Sequence, residues 1–202
     1  MTKAEFAARL KNACAAVIAA EPELTDIDSR FGDADHGLTM TKIAGAISAA
    51  VDASEGGIQA MLDDAAMAVM VLHGGSAVPL WNTWLDGLQE EAPEGNEIDT
   101  AGIQAIFAKA LKALSDMSGA KVGDKTMMDA LIPASQAIAA YSGSDEAGLF
   151  DAAAQAALQG AEASKQFVSK FGRAKSYGEQ TIGTPDAGAA SMAYFFQGLA
   201  RP

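Results

Sequence analysis

Apolar side chains recur along the chain at intervals of three and four residues, the spacing that places them on one face of an α-helix. In the first such run, Phe6, Leu10, Cys14 and Val17 share a face. No segment shows the alternation of apolar and polar residues that is typical of a strand. The pattern predicts one all-α domain over residues 1–202. Its eight predicted helices cover residues 4–20, 39–51, 58–72, 77–91, 100–117, 126–141, 145–170 and 187–199.

Four polar segments each follow an odd-numbered predicted helix, namely residues 24–38, 73–76, 119–125 and 171–186. In an up-and-down antiparallel arrangement, the connections after odd-numbered helices all lie at the same end. The last of these segments is long for a connection in a compact domain, which indicates a functional role. We therefore expect a binding site at one rim of a helical barrel.

Composition narrows the partners that this rim can bind. The formal net charge is −12, and a strongly acidic protein repels nucleic acid and anionic membranes. A phosphate ligand would therefore need a cation between itself and the protein. Cys14 is the only cysteine, so neither an internal disulfide nor a cysteine-based zinc site can form. Residues 1–20 are too charged for a signal peptide, and no run is apolar enough to span a membrane, so we expect a cytoplasmic protein.

A cluster of carboxylates lies in the first polar segment. Asp33 and Asp35 stand between Gly32 and Gly37, and Asp28 lies just upstream. In an extended or turned segment, residues i and i+2 share a side, so these carboxylates would repel one another unless a cation joined them. All-oxygen ligands of this kind suit Mg²⁺. The alternative is a solvated acidic turn with helix-capping aspartates.

The other polar segments carry groups that could face a phosphate. Gly74, Gly75 and Ser76 precede a helix, where free N–H groups attract anions, although Ser76 could equally be a helix N-cap in a tight turn. Lys125 and Arg173 could offset phosphate charge or could be paired surface charges. Neither a Walker motif nor a Gly-x-Gly fingerprint is present. Trp81 and Trp84 share a helical face, which predicts core packing.

Four blocks, Asp28–Met40, Gly74–Thr83, Gly123–Met127 and Gly172–Gly188, resemble the nucleotide-binding L subunit of the dihydroxyacetone kinases, the DhaL or DAK L-domain family. The blocks occur in the family's order and span nearly the whole chain. The resemblance implies an eight-helix antiparallel barrel that binds ADP or ATP at one rim. It also implies two Mg²⁺ ions held by Asp28, Asp33 and Asp35.

The same resemblance implies the remaining site residues. Arg173 would be catalytic, near the phosphoryl-transfer interface. The implied nucleotide contacts are His36, Thr39, Gly75, Ser76, Ala77, Leu80, Gly123, Met127, Arg173, Asp186, Ala187 and Gly188. The chain departs from the usual family pattern at Thr39, where many members have Asn, at Ala77 and Val78, and at Ala187, which replaces Pro.

In this family a separate K subunit holds the sugar, so the chain alone should not phosphorylate a substrate. The resemblance implies a dihydroxyacetone kinase subunit whose phosphate comes either from free ATP or from a phosphotransferase-system phosphocarrier protein that acts on bound ADP. Two other functions stay open: a kinase subunit for another small ketose such as a tetrulose, and a nucleotide-sensing regulatory subunit.

Overall fold

The computed structural model describes all 202 residues, and its regular secondary structure is helical. The nine α-helices are α1 Lys3–Ala19, α2 Glu21–Ser29, α3 His36–Ala53, α4 Ile58–Met70, α5 Ala77–Gln89, α6 Thr100–Ser118, α7 Met128–Ala140, α8 Glu146–Ala163 and α9 Ala187–Leu199. Two 3₁₀ segments cover Ser164–Gln166 and Arg173–Thr181. The predicted all-α class is confirmed.

Eight of these helices form a closed ring. Helices α3 to α9 each pack against the next along the chain, and α1 packs against both α3 and α9, which closes the barrel. The N-terminal ends of α3, α5, α7 and α9 border one cavity, so alternate helices begin at the same rim. The predicted up-and-down barrel is therefore confirmed, and α2 is an additional short helix that packs on α3 and α9.

One cluster of 50 buried apolar residues runs through all nine helices and fills the barrel. At its centre, Trp81, Trp84, Phe107, Phe195 and Phe196 pack with ring centroids 5.2 to 6.4 Å apart, mostly edge to face. This geometry is favourable for aromatic pairs. The core positions predicted for the two tryptophans are confirmed. None of the helices combines the length and the apolar content that a membrane span requires.

The prediction that residues 24–38 form a loop is wrong over its first part, because Glu21–Ser29 is helix α2. Pro22 lies in the first turn of α2, where the missing N–H has no helical partner to lose. It therefore begins a helix rather than ending one. Gly37 lets α3 pack closely on α2, since a Cβ there would lie 2.3 Å from Thr25 Oγ1.

Two further helix boundaries differ from the prediction by three residues or more. Helix α8 ends at Ala163 instead of residue 170, because the Ser164 hydroxyl donates back to the Ala161 carbonyl and the chain tightens into a 3₁₀ turn. Helix α3 begins at His36, three residues earlier than predicted, because the Asp28 carboxylate accepts the N–H groups at its start. The segment 171–186 is also partly 3₁₀ rather than irregular.

Candidate functional site

A cavity of about 450 Å³ lies at the rim where alternate helices begin. It is bordered by the C-terminal end of α2, by the N-terminal ends of α3, α5, α7 and α9, and by residues 169–174. Each helix N-terminus carries a partial positive charge and unpaired N–H groups. Four such ends around one cavity favour an anionic ligand, and the volume suits a small molecule of nucleotide size.

Three carboxylates meet on one side of this cavity. Asp28, Asp33 and Asp35 each offer an oxygen, and these oxygens all lie within 4.8 Å of one another. Asp28 is held at the end of α2, where its Oδ2 accepts the N–H groups of Asp35 at 3.1 Å and His36 at 3.3 Å. Gly32 leaves space for this carboxylate, since a Cβ there would lie 2.0 Å from Asp28 Oδ1.

The loop that carries the carboxylates is backbone-strained. Ala34, between Asp33 and Asp35, has a φ of +59°, which is unfavourable for a residue with a Cβ. Partial burial raises the pKa of Asp35, and the carboxylates of Asp33 and Asp28 raise this pKa further. This like-charge repulsion is what a divalent cation would relieve. The all-oxygen donor set fits Mg²⁺ better than a softer metal.

The capping alternative accounts for only part of the cluster. Asp28 does cap α3, but the side chain of Asp35, the N-cap residue of that helix, makes no capping hydrogen bond. Asp33 instead pairs with Arg173, whose Nη1 lies 2.5 Å from Asp33 Oδ2. Two of the three carboxylates are therefore free of any capping role.

His36 lies beside the carboxylates at the start of α3. Its Nε2 is 3.2 Å from Ser191 Oγ, and the Ser191 hydroxyl donates to the Gly188 carbonyl. Because that hydroxyl has only one hydrogen, His36 Nε2–H must be the donor in the shared bond. Burial lowers the pKa of His36, although Asp28 and Asp35 act in the opposite direction. This lowered pKa favours the uncharged imidazole at neutral pH.

The structure brings most of the expected residues to this one cavity. Those that border it are Asp28, Asp33, Asp35, His36, Thr39, Gly75, Ser76, Ala77, Leu80, Met127, Arg173, Asp186, Ala187 and Gly188. Gly123 does not border it, since its N–H is directed at Asp129 Oδ1, 2.6 Å away. Ser76 makes no capping hydrogen bond to α5, so its exposed hydroxyl is available to a ligand.

The two candidate cations have different environments. Arg173 is 69% exposed at the mouth of the cavity. Lys125 is only 4% exposed, and its ammonium donates to two backbone carbonyls. Lys125 therefore borders the cavity as a paired ammonium and not as a free charge.

Sequence reasoning missed several residues of the cavity. Trp81 was expected only in the core, yet its buried ring also borders the cavity next to Leu80 and Met127 and makes this end apolar. Phe31, in the acidic loop, packs on Tyr177 with ring centroids 5.2 Å apart. An aromatic residue within an otherwise polar loop was the signal that could have identified Phe31.

A family model described as the DAK2 domain matches residues 30–201. The D-erythrulose kinase of Mycolicibacterium smegmatis is 37% identical over 196 residues, which cover 94% of this chain and 34% of that protein. The ADP-binding subunit DhaL of the PEP-dependent dihydroxyacetone kinase of Escherichia coli is 28% identical over 197 residues, which cover 93% of this chain and 91% of that protein. The chain thus spans about a third of the length of the erythrulose kinases that it matches.

The fold also matches a solved structure. The dihydroxyacetone kinase of C. freundii, crystallised with AMP-PNP and Mg²⁺, superposes with a TM-score of 0.73 at 24% identity. The match covers 98% of this chain and 33% of that one. At this identity the likeness establishes the shared helical fold.

Proposed function

Because the chain belongs to the DAK2 domain family, we propose that it is the Mg²⁺-nucleotide-binding subunit of a two-component kinase. In this proposal it transfers a phosphoryl group to a small keto-sugar, either from free ATP or from bound ADP that a phosphocarrier protein has rephosphorylated. A separate K polypeptide holds the sugar. The chain alone turns over no substrate.

One observation carries the proposal: three carboxylates within 4.8 Å of one another face a cavity bordered by four helix N-termini. Carboxylates and helix N-termini attract ligands of opposite sign. A ligand that satisfies both must contain a cation and an anion, as a complex of Mg²⁺ with a polyphosphate does. The apolar end of the same cavity, formed by Leu80, Trp81 and Met127, offers a surface for a base.

In this proposal, different residues of the chain bind the metal ion and the phosphate groups. Asp28, Asp33 and Asp35 would hold the metal, and bound Mg²⁺ would neutralise charge on the transferring phosphoryl group. The N–H groups at the start of α5 and the Ser76 hydroxyl would bind phosphate oxygens. Arg173, exposed at the mouth, would stabilise charge on the group as it leaves for the sugar.

Exposed apolar side chains near the rim support a protein partner at this end. They are Leu38, Met70, Val71, Met117, Val122, Phe171, Tyr177 and Ile182. All belong to helix ends or connections on the cavity side of the barrel. Exposed apolar surface next to a polar cavity is typical of an interaction site. A K polypeptide seated here would place its sugar over the bound nucleotide.

Two observations bear on the sugar and on the assembly. The higher identity to an erythrulose kinase favours a tetrulose, whereas the match to the ADP-binding subunit DhaL favours a role beside a K polypeptide. We therefore propose a keto-sugar of the dihydroxyacetone or erythrulose type. A tetrulose differs from dihydroxyacetone by one additional hydroxymethylene unit. In this proposal, the sugar site of the K polypeptide distinguishes the two sugars.

The test is a reconstituted kinase assay with the purified chain and a candidate K polypeptide. Dihydroxyacetone, D-erythrulose and L-erythrulose are each offered with ATP alone, or with phosphoenolpyruvate and phosphotransferase-system proteins. We expect phosphorylation of at least one sugar only when both polypeptides are present. Turnover with ATP alone would identify a free-ATP kinase. Failure of the wild-type chain to bind ADP with Mg²⁺ would refute the proposal.

A further inference from the structure

Lys125 joins three segments that are distant in sequence. Its Nζ donates to the carbonyl of Ser164 at 2.7 Å and to the carbonyl of Thr184 at 2.5 Å, across separations of 39 and 59 residues. Ser164 follows α8, and Thr184 lies just before α9. A buried ammonium that bonds two carbonyls is a cross-link between these segments.

The loop around Lys125 is built to direct its side chain inward. Lys125 has a φ of +60°, which residues with a Cβ rarely adopt. Asp129, fully buried on α7, holds this conformation from both sides of the lysine. One of its oxygens accepts the Gly123 N–H at 2.6 Å, and the other accepts the Thr126 N–H at 2.7 Å. The strain is thus compensated by charge-assisted hydrogen bonds.

The same network continues into α9. Ser164 Oγ accepts the Asp186 N–H at 2.9 Å, and Asp186 Oδ2 accepts the Ala189 N–H at 2.8 Å, which caps α9. Burial raises the pKa of Asp186 to about 7, and Asp129 adds to this rise while Lys125 opposes it. Burial also lowers the pKa of Lys125, and both carboxylates counter that effect. Lys125 is the only basic side chain of this network, beside the carboxyl groups of Asp129 and Asp186.

These segments border the cavity at Met127, which belongs to the surface proposed for a base. Met127 lies two residues after Lys125, and Ala187 and Gly188 begin α9. The two sides are in close contact, since a Cβ on Gly188 would lie 3.2 Å from the Met127 backbone nitrogen. We name Met127, Ala187 and Gly188 the base-side wall. Any separation of the Lys125 loop from the start of α9 would open this wall.

We infer that Lys125 is a positioning residue for the base-side wall and binds no phosphate itself. Its ammonium holds the Met127 loop against the start of α9 and so fixes the surface on which the base of a nucleoside diphosphate rests. The inference rests on the proposed function. Without the ammonium, two buried carbonyls lose a donor, and the carboxyl groups of Asp129 and Asp186 lose the positive charge beside them.

Lys125→Met tests the inference, because methionine keeps much of the side-chain volume and removes the charge. Lys121→Met is the matched control, an exposed lysine of the same loop. Binding of ADP and of inorganic pyrophosphate, each with saturating Mg²⁺, is measured by calorimetry. We expect Lys125→Met to weaken ADP binding about tenfold or more and to change pyrophosphate affinity by less than about twofold. The control should show no such selectivity.

Equal losses for both probes would overturn the inference, because they would mean that Lys125 acts on phosphate. Unchanged ADP affinity would overturn it too. If Lys125→Met does not fold, Ser164→Ala tests the same junction between the Lys125 loop and α9, since it removes the hydroxyl that accepts the Asp186 N–H and donates to the Ala161 carbonyl. A smaller loss, confined to ADP, is then expected.

Hydrogen exchange separates this inference from the proposed function. If the wild-type chain binds no ADP, the proposed function fails, but the cross-link can still be measured. The Asp186 and Ala189 amides should then exchange faster in Lys125→Met than in Lys121→Met. Equal exchange in the two variants would overturn the inference independently of any ligand.

Discussion

Arg173 and Asp33 form an ion pair across the mouth of the cavity, with Nη1 2.5 Å from Oδ2. The same aspartate belongs to the carboxylate cluster that we assign to Mg²⁺. A metal ion bound as proposed would therefore compete with the guanidinium for one carboxylate. In the proposed kinase, entry of the metal would release Arg173 toward the transferring phosphoryl group and would couple metal binding to the position of the arginine.

Arg173→Gln should strengthen the binding of Mn²⁺, used as a probe for Mg²⁺, in the absence of nucleotide. The pair is largely exposed, so we expect a gain of only about two- to fivefold, and less at high salt. Turnover with a K polypeptide should fall in the same variant. Electron paramagnetic resonance of free Mn²⁺ measures the affinity. Lys175→Gln, an exposed lysine in the same segment, is the control, and equal affinities in the two variants would contradict the competition.

Asp33→Ala should eliminate Mg²⁺-dependent ADP binding and leave the helical content unchanged, because Asp33 is exposed and supports no helix. Calorimetry and far-ultraviolet circular dichroism measure the two properties. Asp63→Ala removes an exposed carboxylate from α4, away from the cavity, and should bind ADP as the wild type does. Wild-type affinity in Asp33→Ala would reject the metal site.

Trp81→Ala should lower the free energy of unfolding by roughly 3–5 kcal/mol, because the ring is 2% exposed and packs on Trp84 and Phe195. Urea denaturation measures the change. Tyr177→Ala removes an aromatic ring that is 43% exposed and should shift stability by less than about 1 kcal/mol. Similar midpoints for both variants would show that Trp81 is not part of the core.

Asp186→Asn should flatten the pH dependence of stability near neutrality. The pKa of Asp186 is raised to about 7 in the folded protein, so its favourable contribution is complete below its ordinary pKa and is lost as the pH rises through 7. Between about pH 4 and pH 7, the wild type should lose up to about 1.4 kcal/mol per pH unit relative to Asp186→Asn, and the loss should level off at higher pH. Asparagine can still accept the Ala189 N–H, so the cap of α9 is kept.

Denaturant unfolding at several pH values measures this difference. Asp151→Asn, at an exposed position of α8, is the control and should follow the wild-type curve. Parallel curves for Asp186→Asn and the wild type would show that Asp186 is ionised throughout this range.

Ala34→Gly should not destabilise the protein, although alanine-to-glycine changes usually do. Ala34 has a φ of +59°, and relief of about 1–2 kcal/mol of strain offsets the extra backbone entropy of glycine. Ala15→Gly, at an exposed site within α1, should instead cost about 1 kcal/mol. Thermal unfolding of the two variants compares them, and equal destabilisation would mean that Ala34 is not strained.

The sequence alone predicts the barrel well, because its helices are separated by clear breaks and the polar breaks alternate. That alternation brings Asp33, Gly75, Met127 and Ala187 to one rim, as the structure confirms. Helix α2 was not predicted, because Pro22 is compatible with both the end of one helix and the first turn of another. The residues around Pro22 do not distinguish the end of one helix from the start of the next.

The environment of Lys125 could not be predicted for a different reason. Its partners are the backbone carbonyls of Ser164 and Thr184, far along the chain. Every residue has a backbone carbonyl, so the sequence does not indicate which carbonyls a lysine will bind. Gly123 belongs to the same loop, and its N–H is taken by Asp129. Residues that act through backbone groups of distant segments are visible only once the fold is known.

The barrel has two unlike ends. The connections opposite the cavity, residues 54–57, 90–99 and 141–145, contribute no residue to its lining. Extra residues inserted there would lengthen the molecule without displacing a group that contacts ligand, because the aromatic-filled interior separates the two ends. The distal turns are therefore the natural places to attach a fluorescent tag or an affinity handle, leaving the working rim undisturbed.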